Sequence, residues 1–317
     1  MARLKQAAAH VLLVSVFLCL NSSLNLMNKW ALGHAGFRFP FLLSSCHMAF
    51  SFAVLAPVAL LRGGEQHRRT LARQWGGILA IGAFMALNIA LNNISLLDIS
   101  LSLNQIIRSA IPVVASLMAM LIESKVPSSQ EAASLLVISL GVMLAVWQGA
   151  LSGKPYAIAF CMAATICNGG FMTVSSKLMS EKLDVVRLGF YVAPVSLACL
   201  FPFFLMYELD AFSAYWPANR RIAAAIMLLS SLVAVCYNLA HSLMIKHISA
   251  VATTVVGEFK ILALIVLSAF LLGERSEFTA KMTAGCVLAL LGFGWYSQTK
   301  LAEATREQQR REAPRSE

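Results

Sequence analysis

The sequence predicts an all-α polytopic membrane protein with ten transmembrane helices arranged as a 5+5 inverted-topology repeat. The chain has 317 residues, of which 59% are hydrophobic and 13% charged, and its mean hydropathy is +0.73. A soluble domain of this length cannot bury that much apolar surface. Apolar runs of about 20 residues, each long enough to cross a hydrocarbon layer of about 30 Å as a helix, recur along the whole chain.

Ten apolar runs and their flanking charges set the predicted topology. Sixteen basic residues fall in the loops on one side of the predicted membrane and seven on the other. The positive-inside rule therefore places both termini in the cytosol, as an even number of spans requires. The net charge of +10 then reflects topology, and we expect membrane lipid rather than nucleic acid as a partner. The predicted spans are residues 9–31, 39–61, 75–97, 101–121, 131–149, 155–177, 188–208, 222–245, 250–272 and 279–298.

The two halves of the chain share a plan. In each half an Ile-Ser pair opens a span that carries one basic residue, Arg108 or Lys260, and ends near Glu123 or Glu274. The following span then closes on a Leu-Gly pair. Five spans per half is an odd number, so the halves have opposite orientation, as in many secondary transporters. We predict repeats at 1–150 and 151–299, followed by a short, charged, mobile cytosolic tail at 300–317.

Arg108 and Lys260 lie in the middle of apolar spans. A charge at that depth costs about 2.5–3.5 kcal/mol on insertion scales, so a chain seldom carries one without a use for it. Their alternative is a structural ion pair, and Glu258 is the candidate partner at mid-depth. Two cations at matching places in a repeat favour a polar cavity that holds an anion.

Several spans present polar side chains that we assign to the same cavity. Amides and hydroxyls in lipid must find partners or face water, so their alternative role is to join neighbouring helices. Glu258 is interpreted as a gate or proton site. Lys29 and Lys177 lie near span ends, where they serve as gate residues or reach the headgroups. The candidate substrate-binding residues besides the two cations are Asn88, Asn92, Asn104, Tyr237, Asn238 and His241.

The motifs of catalysis, nucleotide hydrolysis and metal binding do not occur in the sequence. There is no Walker loop, H-E-x-x-H, G-x-S-x-G or C-x-x-C, and the seven cysteines all fall within apolar spans. We therefore expect no cofactor, no metal site and no enzymatic activity.

Five motifs in order resemble the triose-phosphate-translocator and nucleotide-sugar-transporter branch of the drug/metabolite transporter superfamily. They cover nearly the whole chain. Arg108 stands where that family has a phosphate-binding Lys. The matching residues are Asn25, Asn28 and Lys29 (N-x-x-N-K), Phe39, Pro40, Phe41 and His47, then Ser100, Ser102, Arg108, Ser109 and Pro112, then Tyr237 and Asn238, and finally Gly257 and Lys260.

The resemblance implies strict exchange of anions by alternating access. By that match Arg108 and Lys260 would clamp phosphate oxygens, and Tyr237 would donate a hydrogen bond to them. The expected ligands are a small phosphorylated substrate, a sugar phosphate or nucleotide sugar, and a counter-substrate, phosphate or a nucleoside monophosphate. A homodimer is compatible with this plan.

The chain departs from plastid triose-phosphate translocators at two positions. Ile261 stands where they have a second basic residue, and their further Arg falls near Met172. Fewer cations favour a substrate that presents its charge differently, such as a nucleotide sugar. With no transit peptide ahead of the first span, we expect the Golgi or another endomembrane rather than a plastid envelope.

Two other functions are open. A proton-coupled exporter of small neutral or cationic solutes would use carboxylates in the cavity, for which Glu258 is the candidate. A non-transporting membrane scaffold would gain stability if Arg108 or Lys260 were neutralised, and would keep its function.

Overall fold

The computed structural model describes residues 2–61, 64–95, 98–99, 104, 107–147, 154–180, 183–258 and 279–312. These residues form helices, a short π-helix and connecting turns, with no extended strand among them. Residues 250–258 are helical as well. The other helices are α1 (Ala2–Lys29), α2 (Pro40–Leu61), α3 (Gly64–Ser95), α4 (Ile111–Glu123), α5 (Ser129–Val146), α6 (Pro155–Ser180), α7 (Val185–Tyr207), α8 (Leu209–His247) and α9 (Ala280–Glu312), with the π-helix at Trp30–His34.

Five of the described helices are long and apolar enough to cross a membrane, and shorter apolar helices accompany them. The prediction of an all-α polytopic membrane protein is confirmed at this level. The count of ten spans and the repeat stay predictions, since residues 259–278 lie outside the described part of the chain. The five segments are Pro40–Leu61, Leu71–Ser95, Pro155–Ser180, Val185–Tyr207 and Leu209–His247.

Two helices continue beyond the predicted apolar spans. α3 begins at Gly64 and α9 ends at Glu312. The predicted tail is thus helical from residue 300 to Glu312, and its mobility stays a prediction. Ala, Glu, Gln, Lys and Arg are strong helix formers and dominate this segment, so the helix leaves the apolar layer without ending.

The predicted fourth span is interrupted in its middle. Arg108 is helical, Ser109 and Ala110 form a turn, and α4 begins at Ile111 with Pro112 in its first turn. Proline has no backbone N–H, and its ring clashes with the carbonyl four residues earlier, which here belongs to Arg108. The helix therefore breaks directly after Arg108, where a hydropathy window detects only a continuous apolar run.

α8 is two helical segments joined at a kink. Asn219 has non-helical torsion angles (φ −122°, ψ 19°) two residues after Pro217, and its amide nitrogen donates to the Tyr215 carbonyl over 3.1 Å. The predicted span at 222–245 lies wholly after the kink.

The helices pack in a defined set of pairs. α2 lies against α7, and α5 lies against α9. α3 contacts both α6 and α7, while α8 contacts both α1 and α2. Small residues permit the close approaches: the Ser196 hydroxyl of α7 donates to the Gly82 carbonyl of α3 over 3.1 Å.

Glycines bring α5 and α9 together at their middle. A Cβ on Gly141 would lie 2.7 Å from the Cα of Ala289, and one on Gly292 would lie 2.9 Å from the backbone nitrogen of Ile138. Polar contacts join the same helices near both ends, because Lys300 forms an ion pair with Glu131 at 2.7 Å and Lys281 donates to the Trp147 carbonyl at 2.9 Å. α9 therefore contacts α5 near its beginning, at its middle and just after its end.

The junction between α7 and α8 contacts the beginning of α2. The buried Glu208 carboxylate accepts hydrogen bonds from the backbone N–H groups of Phe41 and Leu42, each at 2.9 Å. These N–H groups belong to the first turn of α2, where no intrahelical acceptor is available. Beside them, Phe39 makes edge contacts with Phe212 and Tyr215 at centroid distances of 5.3 Å.

Candidate functional site

Arg108 is held by two amides of α3. Its Nη1 donates to the Oδ1 atoms of Asn88 and Asn92, each at 3.2 Å. The two asparagines are four residues apart and thus lie on one helical face. Both acceptors are neutral, so they orient the guanidinium without cancelling its charge.

A third amide, that of Asn104, extends this network to α6. Asn104 is 2% exposed, and its Nδ2 lies 3.0 Å from Asn92 Oδ1, 3.5 Å from Ser95 Oγ and 3.3 Å from Cys161 Sγ. It joins the residues ahead of the α4 break to two flanking helices. Asn92 thereby accepts from both Asn104 and Arg108, which couples their positions.

Glu258 and Tyr237 are further groups close enough to Arg108 to affect its charge. Both interact electrostatically with its guanidinium. Glu258 is buried at the end of the helical residues 250–258, and Tyr237 is half-buried on α8. The structure thus brings one cation, one carboxylate and one phenol together from three segments.

His241 lies within a stack of aromatic rings next to this cluster. Its ring packs against Phe17 at 5.6 Å, Phe171 at 5.8 Å and Tyr237 at 5.5 Å between centroids, with interplanar angles of 10–24°. These rings come from α1, α6 and α8, so the stack ties helices of both halves of the chain together.

A cavity with about 520 Å³ of empty space adjoins the stack. Asn238 and His241 line it from α8, and Phe171 does so from α6. Its remaining walls come from α2, α3 and α7 and are mostly apolar.

The remaining predicted residues are distributed differently. Lys260 lies outside the described residues, and so does the side chain of Lys29, the last residue of α1. Lys177 donates from α6 to the Ile122 carbonyl at the end of α4, over 3.2 Å. It lies about 24 Å along α6 from Cys161, at 1.5 Å rise per residue, and does not join the Arg108 cluster.

Sequence reasoning missed two parts of this site. Cys161 is one of seven cysteines within the predicted apolar spans, and its thiol contacts Asn104. Ser51 of α2 lines the cavity, and nothing in its spacing distinguishes it from other serines of that helix. Contacts between helices far apart in sequence leave no periodic signal.

Apolar helices around a cavity and a buried cation define the class of small-solute membrane transporters. Within that class the chain belongs to the Triose-phosphate Transporter family, whose model matches residues 8–297. The resemblance inferred from the motifs is confirmed, and the chain is a transporter rather than an enzyme.

Curated relatives span most of this chain. A probable sugar phosphate/phosphate translocator of Arabidopsis thaliana is 29% identical, covering 88% of this chain and 78% of its own. The UDP-uronic acid transporter 1 of Arabidopsis thaliana is 26% identical, with 88% and 92% coverage. Solute carrier family 35 member E4 of Rattus norvegicus is 28% identical, with 89% and 77% coverage. One crystal structure, 15% identical, matches the fold with a TM-score of 0.67 over 94% of this chain and 99% of that one.

Proposed function

We propose that this chain is a secondary-active antiporter that exchanges a phosphorylated metabolite for phosphate or a nucleoside monophosphate by alternating access. The metabolite is a sugar phosphate or a nucleotide sugar. Relatives named for sugar phosphates and for a UDP-uronic acid support both substrate groups.

The orientation of Arg108 by neutral amides carries the proposal. Its two acceptors, Asn88 and Asn92, leave the positive charge to be balanced by something else. A phosphate presents several acceptor oxygens that suit the guanidinium fork. We assign Lys260 as a second cationic contact and Tyr237 as a hydrogen-bond donor. Asn104 positions these groups, while Asn238 and His241 line the adjoining cavity.

Obligatory exchange follows from the cost of closing an empty site. A buried cation without a counter-ion is expensive in the apolar layer. A bound phosphate balances the charge and permits passage between the two access states, so the empty carrier returns slowly. Glu258, which interacts with the same guanidinium, is the residue we assign to gating.

The pairing of helices supports an inverted repeat of spans 1–5 and 6–10. If the two halves are exchanged, α2 with α7 and α5 with α9 map onto themselves, and α3 with α6 maps onto α8 with α1. The glycine contacts of α5 and α9 are reciprocal in the same way. We further infer that both termini are cytosolic and that the membrane is that of the Golgi or another endomembrane. We also infer that two copies of the chain can form a homodimer.

Counter-exchange in liposomes tests the proposal. Vesicles would be preloaded with phosphate, sugar phosphates or nucleoside monophosphates and offered labelled phosphates and nucleotide sugars. We expect saturable uptake that requires an internal phosphate. Arg108→Ala and Lys260→Ala should each lower it at least about thirtyfold, because truncating one partner of a buried charge pair costs about 2–5 kcal/mol.

Arg220→Ala serves as the control, since it removes an arginine on α8 beyond the kink without touching this cluster. Uptake that needs no internal phosphate would contradict the antiport mechanism. Equal rates in the Arg108 and Arg220 variants would contradict the anion clamp.

Glu258 supports one other candidate function, a proton-coupled exporter. It is a buried carboxylate beside the cavity network. In that case addition of a neutral or cationic solute would drive proton movement across the vesicle membrane, and Glu258→Gln would abolish it while Arg108→Ala would not. A non-transporting scaffold would show no solute-dependent signal in either assay.

A further inference from the structure

The cavity beside His241 differs in character from the Arg108 network. None of the described residues that line it is Asp, Glu, Lys or Arg. Its walls include Leu55, Met85 and Val192, and its polar side chains are those of Ser51, Asn238, His241 and Ser242. It is therefore an apolar chamber with a few uncharged hydrogen-bonding groups.

Ser51 is a fully buried polar group of this chamber, and its hydroxyl has no partner among the described residues. It is 4% exposed. Serines of the same helix can satisfy themselves locally, since the Ser44 hydroxyl donates to the Pro40 carbonyl at 2.8 Å. Buried hydroxyls are normally hydrogen-bonded, so one that faces a cavity unpaired indicates a ligand partner.

The chamber and the cation site are neighbours along two helices. Met85 lines the chamber, and Asn88, about 4.5 Å further along α3, accepts from Arg108. On α8, Asn238 lines the chamber while its neighbour Tyr237 interacts with the guanidinium. One small molecule can therefore reach both regions.

We infer that the chamber is a neutral subsite for the uncharged, hydroxyl-bearing part of the substrate, and that Ser51 determines this specificity. This inference rests on the proposed function, in which Arg108 holds the phosphate. The substrate class narrows to phosphate esters that carry no charge beyond their phosphate groups. A carboxylate at the far end would lose its hydration with no cation among the described lining residues to balance it, so uronic acid derivatives are excluded.

The test compares ligands that differ by one distal carboxylate. Glucose 1-phosphate is paired with glucuronic acid 1-phosphate, and UDP-glucose with UDP-glucuronic acid, each measured as an inhibitor of labelled exchange. Inorganic phosphate is the third ligand, because a phosphate bound at Arg108 has no sugar group that would extend into the chamber. One of the two pairs will bind the wild-type protein more tightly than the other. Within that pair, we expect the uronic acid compound to inhibit at least about thirtyfold more weakly than the neutral sugar compound.

Ser51→Ala and Ser45→Ala form a matched pair of variants. Both serines are buried on α2 with unpaired hydroxyls in the described structure, but Ser51 lines the chamber and Ser45 is not among its lining residues. Ser51→Ala should weaken inhibition by the neutral sugar compound about tenfold and leave phosphate within about twofold. Ser45→Ala should change neither.

Equal inhibition by the neutral and uronic acid ligands would overturn the inference, as would equal effects of Ser51→Ala on phosphate and sugar compounds. In both cases phosphate exchange itself would persist. Absence of any phosphate exchange by folded wild-type protein would instead overturn the proposed function, and the inference with it.

Discussion

At the scale of single residues, the proposed site depends on the neutrality of the two side chains that accept hydrogen bonds from Arg108. Asn88 and Asn92 position the guanidinium as a carboxylate would, since each accepts a hydrogen bond from it at 3.2 Å. Unlike a carboxylate, they supply no negative charge. A carboxylate at either position would act as a permanent counter-ion. Under the proposed function, amides at these two positions leave Arg108 able to bind an anionic substrate, whereas acids would hold it in a structural ion pair.

Asn88→Asp should accordingly inactivate the transporter without unfolding it. The new carboxylate balances Arg108, and we expect phosphate exchange to fall at least about thirtyfold, in line with the strength of buried charge pairs. The thermal midpoint should stay unchanged or rise. Exchange rates in liposomes and thermal unfolding in detergent would measure the two effects.

Asn219→Asp is the control, because it adds the same charge at the α8 kink, away from Arg108. Full exchange by Asn88→Asp would show that the charge of Arg108 is not what binds the substrate.

The helical spacing of polar residues made part of this site predictable. Asn88, Asn92 and Arg108 stood out because a charge or amide within an apolar run is costly and shares a helical face with others. The contact of Asn104 with Cys161 joins residues 57 positions apart, which local spacing cannot show. Likewise, the pattern cannot tell Ser51 from Ser45, since only the packing of α7 and α8 decides which one faces a cavity.

At the scale of elements, Glu208 caps a helix to which it is not connected in sequence. Its carboxylate serves both free N–H groups of the first turn of α2. The sequence around Phe41 does not predict that Glu208 caps α2, since the usual signal is a capping residue immediately before the helix. α2 consequently begins correctly only when the α7–α8 junction is in place.

Glu208→Ala should destabilise the protein by about 1–3 kcal/mol, because two buried N–H groups lose their acceptor. Glu208→Gln retains one acceptor oxygen and should have an intermediate effect. Thermal unfolding monitored by circular dichroism would rank the variants. Asp210→Asn, an exposed acid two residues away, should leave the unfolding temperature unchanged. Similar losses in the Glu208 and Asp210 variants would argue against a capping role.

The α5–α9 pair yields a prediction about close packing. A Cβ on Gly285 would lie 2.7 Å from the Ala145 Cα, whereas one on Gly294 would meet nothing within 4 Å. Gly285→Ala should cost about 1–3 kcal/mol through overpacking. Gly294→Ala on the same helix should be neutral or stabilising by about 0.5–1 kcal/mol, from helix propensity alone. Equal unfolding temperatures for the two variants would show that the helices separate without cost.

At the scale of the whole molecule, a polar contact joins the turn after α3 to the start of α6. Asp98 forms an ion pair with Lys154 at 2.7 Å and accepts from the Tyr156 hydroxyl. The hydrogen bond from Lys154, followed by that from Tyr156, lowers the pKa of Asp98 below its usual value. In the sequence, Asp98 precedes Asn104 by six residues and Tyr156 precedes Cys161 by five.

Asp98→Asn should loosen that end of the transporter. We expect the buried Cys161 thiol to react about two to five times faster with a water-soluble maleimide, a small effect because exposed ion pairs contribute little. Since the Asp98 pKa is lowered, the carboxylate keeps its contribution above its usual pKa and loses it as pH falls through the lowered one. Wild-type protection should therefore be constant between about pH 5 and pH 8.

The other six thiols would be replaced by serine so that labelling reports on Cys161 alone. Asp210→Asn again provides the control. A labelling rate that does not respond to Asp98→Asn would mean that this contact plays no part in closing the molecule.

The glycine contacts of α5 and α9 have a consequence for how the molecule can be assembled. Gly141 faces Ala289 as Gly292 faces Ile138, so the seam looks the same from either helix. Matched surfaces of this kind can pair without a covalent link. We therefore expect the two predicted halves, translated as separate chains, to associate in the bilayer through this seam.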